Sequence, residues 1–299
     1  MARLRRLLLA WWVAQARGLT ASPTLRARTA YAFASTPSEG NPASIVLIEE
    51  SEWPADETLS TAARETGLAT AFLLPRDADG RSVRARFFTA SGDELPLCGH
   101  AGLAAAHVLL PAAPEGARLS LAAPGATLSV RRGATPDAVE LRLPARPASA
   151  ALDAAGRETL LAAMRVDPAA VLHASATPDG AGPRDVLVEV TPAEYERHRA
   201  HASVDFKATA ALARVAVVTC RAGDGAHEFR SRAFTPVLGV DEDQCCGVAH
   251  LMLAPHWAPK LGVAPGATMR ARQDSPRGAS LGVCLLDSEV TLAGRVCVE

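Results

Sequence analysis

GDELPLCGHA at residues 92–101 and VDEDQCCGVA at residues 240–249 are two copies of one signature. Each is an acidic segment followed by Cys-Gly-x-Ala, and each opens a run rich in Ala and Leu that reads as a helix, over 98–110 and 247–261. A signature repeated with its context predicts two halves related by duplication. Working outward, the first copy is surrounded by strand-like runs at 44–48, 70–74 (ended by Pro75), 84–89, 118–122, 127–131 and 139–143, with a helical spacing over 56–67. The second sits among strand-like runs at 186–190, 215–219, 228–234, 280–285 and 289–292. The Pro-rich LPARPASAALDAAG, 143–156, is the best boundary. The expectation is an α+β protein of two lobes, 29–142 and 143–299, each with several strands and one apolar helix.

The position of the repeated cysteine has a chemical meaning. A thiol at a helix N-terminus meets the positive end of the helix dipole and N–H groups without partners inside the helix. That favours thiolate, and the following glycine lets another group approach the backbone. The same N–H groups suit a carboxylate. Cys98 and Cys246 at two such ends would enclose an anionic substrate between two thiols, one removing a proton and the other supplying one. His100, two residues into the first helix, is a residue type suited to acid/base work near neutral pH. Asp243, three residues before Cys246, reads either as an acid/base or as a turn and capping residue. A buried thiol more often packs as a small hydrophobe than reacts, and that reading covers Cys220, Cys284 and Cys297. Cys245 is ambiguous, since a neighbouring pair with Cys246 could oxidise.

Composition excludes several classes. With 31 Lys+Arg against 32 Asp+Glu, the charge balance fits neither nucleic acid nor an anionic membrane as partner. Aromatics at 4% argue against a base-stacking surface. No apolar run reaches the roughly 18 residues of a membrane span. None of the six cysteines forms a CxxC pair, so neither metal nor disulfide is expected. GxGxxG and GxxxxGK[ST] are absent. Residues 1–28 stand apart, with six arginines, no acid and an apolar stretch at 7–13. They read as a signal or transit peptide, or as an untargeted extension, which leaves a cytoplasmic or organellar location open.

EGNPASIVLIEE (39–50), FFTASGDELPLCGHAGLAAAHVLL (87–110), EFRSRAFTPVLGVDED (228–243), GVAHLMLAPHWAPKLG (247–262) and VTLAGRV (290–296) together resemble the phenazine-biosynthesis-like (PhzF) family, in the family's order. The resemblance implies two similar, pseudo-twofold related domains, each a β-barrel-like sheet wrapped around a central helix, with the site between them and a possible homodimer. It is the fold of diaminopimelate epimerase and proline racemase. By position, the resemblance makes His100 and Asp243 the active-site histidine and aspartate, and Asn41, Gly99 and Gly247 substrate contacts. The departures are informative. The family's NLSETAF, whose Glu is its main acid/base, is here GLATAF (67–72), one residue shorter and without a carboxylate. Its EDPVTGSAH is EDQCCGVAH (242–250), with Val248 for the Ser and Cys246 for the Thr. The pattern moves toward the similar two-cysteine epimerases.

The expectation is therefore a cofactor-independent isomerase, an epimerase or racemase acting on a small carboxylate-bearing substrate. Cys98 and Cys246 would exchange the proton, with His100 and Asp243 assisting. Asn41, Gly99, Gly247 and Val248 would line the substrate site. The alternatives are a dehydratase using the same proton abstraction, a non-catalytic binding or regulatory protein on this fold, and a redox sensor using Cys245 and Cys246.

Overall fold

The structure, a computed structural model, describes residues 25–112, 116–135, 137–178, 184–201 and 203–299. Most of the Arg-rich leader lies outside these residues. Its end is corrected: Leu25 is buried in an apolar cluster, and Ala27 and Arg28 already belong to the first strand.

The chain divides into two compact units, Met1–Arg142 with Ala293–Glu299, and Leu143–Leu292. In order come β1 (Ala27–Ala32), β2 (Asn41–Leu47), α1 (Asp56–Thr66), β3 (Ala69–Arg76), β4 (Ser82–Phe88), β5 (Glu94–Leu95), α2 (Gly99–Leu109), β6 (Leu119–Ala122), β7 (Thr127–Arg132) and β8 (Ala138–Pro144). Then follow β9 (Ala150–Ala151), α3 (Ala154–Met164), β10 (Val171–Ala176), β11 (Arg184–Val190), α4 (Pro192–His201), α5 (Phe206–Leu212), β12 (Ala213–Arg221) and β13 (Phe229–Thr235). The last are β14 (Val240–Glu242), α6 (Gly247–Leu261), β15 (Thr268–Gln273), β16 (Ala279–Leu286) and β17 (Glu289–Val298).

In the first unit β2 and β3 run parallel, as do β4 and β6, whereas β1–β2, β3–β4, β6–β7 and β7–β8 are antiparallel. A parallel pair cannot be closed by a hairpin and needs a crossover. α1 is the crossover of the first pair and α2 that of the second. β17 pairs antiparallel with β1 (Ala30↔Val298) and also with β8, so eight strands close into a barrel. α2 packs against β1, β2, β3 and β7, strands from different sides of the ring, and so fills the barrel. That explains its composition: a Cβ at Gly102 would sit 2.6 Å from Leu128 Cδ1, so small residues are all that fit beside Leu103 and Leu109. Outside, α1 buries Leu59, Ala62 and Ala63 against Val46, Phe72 and Phe88. With helices on both faces, β2 and β3 are apolar runs rather than alternating ones.

The second unit repeats this scheme strand for strand. β10–β11 is antiparallel, β11–β12 parallel, β12–β13 antiparallel, β13–β14 a short antiparallel contact, β13–β15 parallel and β15–β16 antiparallel. α6 is the crossover between β13 and β15, as α2 is between β4 and β6, and it packs against β12 and β16. The outer face is covered by more helix than in the first unit: Leu160, Leu161 and Met164 of α3 and Tyr195 of α4 pack on Val186, Val188 and Val218.

Several expectations are corrected. Among the described residues the second lobe carries α3, α4 and α5 besides the expected apolar helix α6. α3 begins inside the stretch read as a boundary, with Asp153 accepting from the Gly156 N–H as its N-cap. α4, PAEYERHRAH, shows no apolar stripe because Tyr195 and His198 supply much of its buried face. β3 runs past Pro75, where the register with β4 breaks between Leu73 and Arg76 and a missing N–H costs nothing. The second lobe was expected to run to 299, but residues 293–299 belong to the first unit, where they complete its barrel.

Candidate active site

Both repeated cysteines are helix N-caps with extended backbone: Cys98 at φ −135°, ψ 110° before α2, and Cys246 at φ −89°, ψ 106° before α6. Each follows a short strand, β5 or β14, that pairs with the strand leading into the crossover. The two thiols therefore occupy one topological position in each copy of the fold. They are 7% and 4% exposed.

In the first unit the loop before Cys98 is held by backbone, with the Gly125 N–H donating to Pro96 O at 2.9 Å. A Cβ at Gly125 would meet Pro96 at 2.7 Å, so only glycine permits this approach. Cys98 Sγ lies 3.5 Å from His100 Nδ1 and 3.9 Å from Nε2, within reach for proton transfer. Asn41 opens β2 opposite Ala32, after Gly40, whose φ of +67° and 2.3 Å Cβ approach to Ala32 O exclude any side chain there. β3 starts at Ala69, opposite Ala43 of the parallel β2. Ala69 is thus two ladder positions from Asn41. Thr70 instead bonds Thr66 Oγ1 at 2.9 Å.

The second unit holds its loop with side chains. The Cys246 N–H donates to Gln273 Oε1 at 2.9 Å, and Gln273 Nε2 donates to the Asp243 carbonyl at 2.6 Å. The Cys245 N–H donates to Asp243 Oδ1 at 3.1 Å. His250 Nδ1 donates to the Cys246 carbonyl at 2.8 Å, which fixes the imidazole tautomer. Ser275 Oγ donates to Gln244 O at 2.7 Å. Glu242 is tied up by Arg232, with two contacts of 2.8 Å, so it is not a base for this site.

The charge state of Cys246 differs from the helix-end expectation. Burial pushes its thiol well above the ordinary range, and the hydrogen-bonded Asp243 carboxylate pushes it the same way. The Ala249 N–H at the helix end pulls in the other direction and loses. Cys246 is therefore a neutral thiol that donates toward Asp243, not a resting thiolate. Cys245 is wholly buried and is likewise pushed up, by burial first. Burial holds His250 down at about 4, so it is a neutral imidazole. Val248, in the position of the family serine, is half-buried, and Gly99 and Gly247 open their helices. Sequence reasoning missed Gln273 and His250 as partners of this loop. Among the described residues no group of His, Cys, Asp and Glu is arranged to hold a metal ion.

Two barrels of one topology, each threaded by a crossover helix with a capping cysteine, define a class of protein, and comparison with known proteins places the chain within it. The chain belongs to the phenazine biosynthesis-like protein family, whose model matches residues 30–298. An uncharacterized isomerase of Pseudomonas aeruginosa is 36% identical over 266 residues, covering 88% of this chain and 92% of its own. A PhzF-family crystal structure from Enterococcus faecalis superposes with TM-score 0.74 at 27% identity, over 91% of this chain and 95% of that one. A probable proline racemase from Agrobacterium radiobacter shares the fold, with TM-score 0.54 at 12% identity over 92% and 91% of the two chains.

Proposed function

We propose that this chain is an epimerase or racemase that moves the proton on the carbon beside a carboxylate, without cofactor or metal. That it is an isomerase follows from its family. The finer reading is carried by one observation: a cysteine caps the central crossover helix at the same topological position in both copies of the fold. The chemistry requires that both thiols reach one carbon from opposite faces. Their surroundings divide the labour. Cys98, with His100 at 3.5 Å to take its proton, is the base; Cys246, held neutral, is the acid. The base withdraws the α-proton, the electron pair spreads onto the substrate carboxyl group, and the Cys246 thiol returns a proton to the other face. The reverse reaction starts from the opposite protonation pattern.

The test is α-proton exchange in D₂O, followed by NMR over a panel of amino and hydroxy acids. The expected result is loss of the α-proton signal with wild type. Cys98→Ser or Cys246→Ser should lower the rate by about 100-fold or more, the usual size of a general acid/base contribution. Exchange that survives either change at the wild-type rate overturns the two-thiol mechanism.

A binding protein on the same fold is the second reading, and Ala69 and Val248, in place of the family's Glu and Ser, favour it. Ligand-dependent rises in Tm with no exchange over the panel would establish it.

A further inference from the structure

The two halves hold their cysteine loops by different means. In the first, a backbone bond from the Gly125 N–H to Pro96 O holds the loop. In the second, the last residue of the corresponding strand reaches back. β15 runs parallel to β13 and sets Gln273 opposite Ser231. From there the side chain, fully buried, spans the turn 243–246: its oxygen accepts from the Cys246 N–H and its nitrogen donates to the Asp243 carbonyl.

We infer that Gln273 is the positioning residue of the second half-site, setting the Cys246 thiol and the Asp243 carboxylate in one fixed geometry. The inference rests on the reading of Cys246 and Asp243 as site residues.

Three observations carry it. First, the task needs one donor and one acceptor on the same planar end, which a carboxamide such as that of Gln provides. Second, a buried amide is costly unless both ends are satisfied. Both ends of the Gln273 amide are bonded to the two candidate residues of the turn. Third, the bond from His250 Nδ1 to the Cys246 carbonyl pins the other side of the same residue. With N–H and C=O both fixed, rotation about χ1 is the main freedom left to the thiol. Asp243 and the Ala249 N–H then aim it, since both act on the sulfur. A displacement of about 1 Å at a proton-transfer group can cost on the order of 100-fold in rate, which is why such a clamp matters.

The experiment uses the full chain with Gln273→Leu and Gln273→Glu. Iodoacetamide labelling of Cys246 is read by peptide mass spectrometry across pH, and α-proton exchange is measured in parallel. Gln273→Leu should change the Cys246 labelling rate at neutral pH by about ten-fold and shift its pH profile, about the effect of one buried hydrogen bond. It should lower kcat by at least as much while KM stays within about two-fold. Gln273→Glu keeps the acceptor for the Cys246 N–H, loses the donor to Asp243, and should fall between. Labelling of Cys98 should not move in either variant, and this control separates positioning from general loosening. A folded Leu variant with the wild-type labelling profile at Cys246 overturns the inference. If the Leu variant does not fold, the near-isosteric Glu variant decides on the same readout. If labelling responds while wild type exchanges no substrate proton, the clamp stands and the isomerase mechanism falls.

Discussion

His250 and His198 show how single residues of this chain respond to their surroundings. Both are fully buried, and both are held down to about 4, chiefly by burial. His250 bonds Cys246 O, and His198 bonds Met164 O while its Nδ1 accepts from Arg232. In the unfolded chain an imidazole titrates near 6.5. Between about 4 and 6.5 the unfolded state therefore binds more protons, so stability rises with pH through that window and is lost as pH falls through it. The expected slope is on the order of 1.4 kcal/mol per pH unit for each imidazole. Urea midpoints at pH 7, 5.5 and 4.5 check this. His250→Gln should flatten the dependence by about one proton, and an unchanged slope would remove His250 from the account. At this scale the sequence was half legible. Cys98 and Cys246 could be placed at helix starts from Cys-Gly-x-Ala alone, because capping is local. The neutrality of Cys246 could not be read, because it comes from burial and from how Asp243 is held. Gln273 lies 27 positions beyond Cys246 in a stretch with no motif, and only the parallel β13–β15 pairing brings it back.

The elements that carry the site are the two crossover helices, and their fit is tight. At Gly102 of α2 even a methyl would press on Leu128. Gly102→Val should therefore cost about 1–3 kcal/mol through overpacking. Leu128→Ala removes the colliding atom, so the double variant should be more stable than the two single effects added together. Urea denaturation of the four proteins measures the coupling, and additivity would mean the helix has room that the packing denies. These central helices were legible because their Ala-rich runs are long and their starts are marked. The outer helix α1 was read over 56–67, but the outer helices of the second unit were not legible. α4 buries Tyr195 and His198 among charged residues, and α5 is seven residues long, too short for a period to show. β17 was read as 289–292 because its remaining residues, AGRVCV, alternate weakly. Barrel closure against β1 keeps them extended.

For the whole molecule the decisive feature is that the chain passes from one unit to the other inside β8 and returns inside β17. Residues 293–299 are paired through Tyr31↔Cys297 and Ala32↔Val296, and Arg295 bonds both Asp137 and the Ala34 N–H. Deleting 293–299 should open the first barrel while sparing the second unit. Hydrogen exchange would then show protection lost in β1, β2 and β8 and kept in β11 and β12; equal loss in both would mean the units do not fold separately. The duplication itself was legible in ten residues at each helix start. The shared strand order behind it was not, since parallel partners such as β4 and β6 are distant in sequence. The return of β17 also sets an order in time. A ribosome making this protein releases the strands of the first barrel early, yet the segment that seals that barrel emerges only after the whole second unit. The half begun first is the half finished last, and its open edge between β1 and β8 must stay soluble until then.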